Sequence, residues 1–151
     1  MNRAVAGAGF AAVLVGVLAA AFAGLPRVLC LPADGRFELR YLHSVERSPV
    51  VERYRVAPDG TVWLEGMRFR SVGWGLPSDG FMRRGSWFET TSPPRRLRAL
   101  VLRVSHAARQ ELRAGGHALA LRDVAREGAL LRLVAGRAAG CPQALVVQAN
   151  R

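Results

Sequence analysis

The chain contains no lysine. All 22 of its basic residues are arginine, set against 11 acidic residues for a net charge of +11. The missing lysine reads first as the coding bias of a GC-rich genome. Only at a few positions does it read as a choice of the planar guanidinium for bidentate anion recognition. Basic blocks with interleaved aromatics are also missing. The arginines alternate with other residues, as in Arg53/Arg55 and Arg68/Arg70, which is how the wet face of a strand looks. Nucleic acid is therefore not an expected partner. Histidine is scarce: His43, His106 and His117 are far apart and form no HxH or HxxxH pair. With only Cys30 and Cys141 beside them, no zinc-type metal site and no cofactor are expected. There is no internal repeat and no low-complexity linker, so residues 24–151 are expected to form a single domain.

The one long apolar run, Ala4 to Leu25, follows Met-Asn-Arg3. It is long enough to cross a bilayer, which takes about 20 apolar residues. It also has the form of a signal peptide, with a basic start, an apolar stretch and Ala21-Phe22-Ala23 as a cleavage site before Gly24. Residues 1–23 are read as one or the other. A buried core helix fits less well, because the run is terminal and rich in Ala and Gly. Both readings export residues 24–151, either free in the periplasm or anchored to the outer face of the inner membrane. Arg27 and Arg36 after the run favour cleavage, since a retained anchor keeps its positive flank on the cytoplasmic side. Cys30 is not a lipoprotein cysteine, because Arg27-Val28-Leu29 lacks small residues. In an oxidising compartment Cys30 and Cys141 either form one disulfide that joins the first and last strands or remain two buried thiols.

Past Pro26 the signals are short strands and turns. Phe37, Leu39, Tyr41 and His43 alternate onto one face. Residues 50–56 and 61–70 form an expected hairpin about the Pro58-Asp59-Gly60 turn. A second hairpin is expected about Arg84-Gly85, and a third about Gly115-Gly116. Leu97 to Val104 fits a helix face or a strand, and the turn-rich flanks favour a strand. Ala129 to Ala135 is the last convincing strand, and Ala144 to Val147 is placed at an edge. The expected fold is all-β: about eight or nine short antiparallel strands in a β-sandwich or small barrel, after an N-terminal hydrophobic helix. Its core is expected over residues 28–135.

Polar residues of unusual type gather in one place. His43, Ser44, Glu46, Arg47 and Glu52 occupy a strand end, a turn and the next strand. Arg68, Arg70, Ser71 and Trp74 follow at the end of a third strand. Pairing of these strands brings the groups to one end of the domain, which suits a small polar or anionic partner such as a carboxylate. One reading has Glu52 neutralise one of Arg68 and Arg70. The other arginine, with Ser71, His43 and the amides of the Gly73–Gly75 loop, then grips a carboxylate. The competing reading is structural: cross-strand Glu–Arg pairs stabilise a sheet by about 0.2–1 kcal/mol and need no ligand. Pro49, Gly73, Gly75 and Pro77 serve as turn residues. Trp74 either caps the sheet end or meets a protein partner. His43-Ser44-Val45-Glu46 holds the residue types of a hydrolase triad. Adjacent strand residues face opposite ways, however, and no nucleophile elbow is present. No enzymatic activity is expected.

Three segments, His43 to Glu52, Arg68 to Pro77 and Gly85-Ser-Trp-Phe88, resemble the bacterial domain of unknown function family 1850. The resemblance covers roughly residues 28–135. The matching positions are His43, Ser44, Glu46, Pro49 and Glu52, then Arg68, Arg70, Gly73, Gly75 and Pro77. The chain departs at position 74, where the family pattern has a small residue between the glycines and this chain has Trp74. Members are often encoded beside tripartite ATP-independent periplasmic (TRAP) transporters of the TAXI type. The resemblance thus implies an accessory protein of the envelope, with a TRAP permease or solute receptor as partner. The alternative is a structural β-domain of another envelope assembly.

Overall fold

Alternating apolar and polar residues produce twelve strands in the computed structural model, which describes residues 27–149. The expected hydrophobic helix, signal or anchor over residues 1–23 lies outside the described residues. The strands are β1 (Arg27–Cys30), β2 (Arg36–Leu42), β3 (Pro49–Val56), β4 (Val62–Phe69), β5 (Phe81–Arg84) and β6 (Trp87–Thr90). They continue with β7 (Arg95–Leu97), β8 (Leu100–Arg103), β9 (Glu111–Ala114), β10 (His117–Ala120), β11 (Leu130–Ala138) and β12 (Cys141–Ala149). One 3-10 turn, Leu121–Asp123, follows β10.

All pairings are antiparallel, in two open sheets. The smaller has the order β1-β12-β11-β8, and the larger β10-β9-β2-β3-β4-β6-β5 with β7 also on β4. Neither closes on itself, so of the two expected forms the barrel is set aside. One buried cluster draws on both sheets. Leu29, Leu100, Leu131, Leu133, Leu145 and Val147 come from the smaller sheet, and Phe37, Leu39, Tyr54, Val56, Val62 and Leu112 from the larger. A second cluster of Val50, Phe69 and Leu76 fills the β4–β6 end, with Tyr41, Met67, Phe81 and Phe88 packed on it.

Three expectations need correction. Among the described residues the strands number twelve, not about eight or nine. The run Leu97 to Val104 is not one strand: β7 pairs with β4 in the larger sheet and β8 with β11 in the smaller. The segment after Gly136 is not an edge. β12 lies between β1 and β11, and Ala144, Leu145 and Val147 are buried, so the core does not stop at residue 135. The inward positions of β4 change phase between Leu64 and Met67. Arg53 faces Gly66 while Tyr54 faces Leu64, leaving Glu65 as an extra residue in a β-bulge. Glu65, its side chain 21% exposed, accepts from Arg36 Nε at 3.1 Å and Arg55 Nε at 2.9 Å.

Cys30 and Cys141 are joined by a disulfide, with Cα atoms 5.5 Å apart. The bridge ties the first strand to the start of the last.

Candidate functional site

Residues 43–48 join β2 to β3 in a tight turn. The His43 amide donates to the Ser48 carbonyl at 2.9 Å, and the Arg47 amide to the His43 carbonyl at 2.9 Å. Arg47 takes a left-handed conformation with φ 51°, which costs a side-chain-bearing residue about 1–2 kcal/mol. His43, at the start of the same turn, is buried to 9% exposure. The ring Nδ1 accepts from the Glu46 amide at 3.1 Å. An accepting Nδ1 leaves the proton of the neutral ring on Nε2. That nitrogen faces Gly75, where an added Cβ would stand 3.8 Å from it.

A second turn meets the first. The Leu76 amide donates to the Gly73 carbonyl at 3.1 Å, and Gly75 has φ +80°. Positive φ at the third position of a four-residue turn is the type II form, which favours glycine there. Gly73 is constrained differently: a Cβ on it would collide with the Glu46 carboxylate. The Ser48 and Ser71 hydroxyls share a 2.6 Å hydrogen bond across the same seam. Leu76 anchors the far side in the smaller cluster. Trp74 is the second residue of the turn and is 85% exposed. A large residue fits between the glycines because that position projects into solvent. Val45 and Val72, on the same two turns, are also exposed, as are Ser44 and Arg47.

Arg68, on β4, and Arg70, just past its end, meet Trp87, their guanidinium carbons 5.0 and 4.8 Å from its ring centre. Both distances suit a cation–π contact. Arg68 Nη1 is 3.9 Å from Glu89, which also meets Arg84 at 3.2 Å. Arg68 Nε is buried without a partner. Among the described residues Arg70 has no ion pair, and it is exposed.

The structure therefore brings together His43, Glu46, Ser48, Ser71, Gly73 and Gly75. It does not bring Glu52 to either arginine. Glu52 faces Met67 across the sheet, while Arg68 faces Val51, so the two side chains leave opposite faces. Pro49 opens β3 and Pro77 follows the second turn. His106 and His117 lie elsewhere: His106 donates its amide to Glu127 at 2.5 Å, and His117 opens β10.

Glu52 has partners that sequence reasoning missed. Its strand neighbours Val50, Tyr54 and Val56 are core residues, and alternation puts its carboxylate on the same inward face. The Tyr41 hydroxyl donates to Oε1 at 3.0 Å, and the Tyr54 hydroxyl donates to Oε2. Burial first, and the Glu52 charge second, push both tyrosine hydroxyls well above the usual range, so they stay protonated donors. The sequence signals only the need, since an acid in phase with three core residues requires donors; which residues supply them depends on the register of β2 on β3.

A family model described as a domain of unknown function (DUF1850) matches residues 37–121. No curated protein and no solved structure matches the chain.

Proposed function

The chain belongs to the DUF1850 family, and we propose that it is a non-enzymatic binding protein of the cell envelope that docks on a component of a TRAP-type (TAXI) transporter. The observation that carries this reading is Trp74, 85% exposed at the apex of a turn held by its contact with the His43 turn. An exposed tryptophan on a rigid support is the residue type that dominates binding energy at protein interfaces. Val45 and Val72 extend the apolar area, and Arg47 and Arg70 supply a charged rim. The two open sheets, read as a β-sandwich, hold this end in place. The free guanidinium of Arg70 over Trp87 favours a carboxylate on the partner surface rather than a separate small ligand.

The test is a cross-linked pull-down of the full chain, tagged at its C terminus, from its own envelope extract. Recovery of a TRAP permease or solute receptor by the wild type, and its loss with Trp74→Ala, is the expected result. Recovery that is equal for the two proteins would remove Trp74 from the contact. Recovery of components of another assembly would favour a structural role there.

A further inference from the structure

A cavity of about 900 Å³ opens between β4, residues 75–77 and residues 90–96. Leu64, Met67, Leu76, Pro77 and Pro93 give it apolar walls. Its charged lining residues are Arg95, Arg96 and Glu65, the last already paired with Arg36 and Arg55. Tyr54 faces Leu64 and Leu64 faces Arg95 across β3, β4 and β7. Residues directly opposite one another share a face of the sheet. Tyr54 is a core residue, so Arg95 projects from the core-facing side of the sheet. It is nevertheless exposed, because the cavity opens there.

Arg95 has no carboxylate partner among the described residues. The acid on its own face, Glu52, has both oxygens engaged by Tyr41 and Tyr54. Met67, in the cavity wall, is the residue opposite Glu52. The inner end of the cavity is thus apolar with a negative charge one strand beyond it, and a positive charge stands at the β7 side. That polarity orients an occupant with its anionic head outward and its apolar body inward.

We propose that this cavity binds a small amphipathic carboxylate, its head group on Arg95 and its apolar body against Leu64, Met67 and Leu76. Apolar walls with a few placed polar groups are those of a small-molecule site, and the volume lies within the usual range of about 300–1,000 Å³. A single guanidinium matches a carboxylate through two parallel hydrogen bonds. The cavity shares Gly75 and Leu76 with the Trp74 turn, but Arg95 is on neither of the two touching turns, so variants at Arg95 test the proposal separately from docking through Trp74.

The test is calorimetric titration of the full chain in lipid nanodiscs with hexanoate, octanoate and 4-phenylbutyrate, with octanamide as the uncharged control and empty nanodiscs as blank. Saturable one-to-one binding of at least one carboxylate is expected, with octanamide weaker by about tenfold or more, as loss of a charge-assisted contact predicts. Arg95→Ala should weaken the carboxylate by a similar factor, and Arg95→Lys should restore part of it. Arg95 is exposed, so its replacement should leave the melting temperature unchanged, and Met67→Trp offers a second block by filling the cavity. Equal binding of octanamide, unaltered binding by Arg95→Ala, or no saturable heat above the blank with any carboxylate would each overturn the proposal.

Discussion

The Tyr54 hydroxyl donates to one oxygen of Glu52 while the Tyr41 hydroxyl donates to the other. An acid on the core-facing side of β3 is thereby satisfied without a counter-cation. Glu52→Ala would strand two largely buried hydroxyls without their acceptor. The expected loss is about 1–3 kcal/mol, the cost of leaving buried polar groups unpaired. Glu52→Gln keeps one acceptor oxygen and should lose less. Urea unfolding of the three proteins gives the ranking, and an alanine variant as stable as the wild type would make the contact energetically idle.

The same pair sets an alkaline limit. Both tyrosine hydroxyls have their folded-state pKa raised, by burial and then by the Glu52 charge. A group raised in this way contributes stability that is complete below its unfolded pKa, about 10 for tyrosine, and lost as pH rises beyond it. Melting temperature should therefore begin to fall above about pH 10. Phe at positions 41 and 54 should flatten that decline while lowering stability at neutral pH. A wild-type and a double-Phe protein with identical alkaline slopes would place the loss elsewhere.

Glu46 and Gly73 are predicted to be energetically coupled. Gly73→Ala puts a methyl where the Glu46 carboxylate lies, so the carboxylate must move. Glu46→Ala removes the obstacle. The two changes together should cost less than their sum, with a coupling of about 1 kcal/mol, in the range seen for residues in contact. Strict additivity in a double-mutant cycle would separate the two turns energetically.

The Cys30–Cys141 bridge closes a loop with a sequence separation of 111 residues. Loop-closure entropy assigns such a bridge about 3–5 kcal/mol. Replacing both cysteines by alanine, or reducing the bond, should lower the melting temperature by several degrees. Unchanged melting under reduction would show that strand pairing alone holds β1.

Much of the larger sheet was legible in the sequence, because its strands expose one face and alternate. Phe37-Glu-Leu-Arg-Tyr states the inward face of β2 outright, and Pro58-Asp-Gly60 marks the turn between β3 and β4. Ala144 to Val147 was placed at an edge, and the length and central seat of β12 were hidden by its composition. Ala144-Leu-Val-Val147 is apolar throughout, as a strand between two neighbours can be, so its period is hidden. Leu97 to Val104 misled because a chain crossing from one sheet to the other keeps its apolar residues on both sides of the crossing. At the site, the glycine and proline turns were readable from their backbone demands. The tyrosines around Glu52 were not, because finding them takes the register of β2 on β3. Arg95 looked like every other arginine until β7 was placed beside Leu64.

The seat of β12 between β1 and β11 has a consequence for the order of assembly. β2, β3 and β4 pair with their nearest neighbours in sequence and close through short turns. The smaller sheet instead joins Arg27 to Val147, nearly the whole described chain apart. Distant pairings of this kind are slow to form, because a long loop must close before any contact repays it. Until the final nine-residue strand arrives, the inner face of Phe37, Leu39 and Val56 lacks much of its cover, and an uncovered apolar sheet face invites association with other chains. A chain ended before Cys141 is therefore expected to aggregate rather than to persist as a smaller soluble domain. Solubility of that truncation beside the full chain would measure how much of the folding cooperativity resides in the last strand.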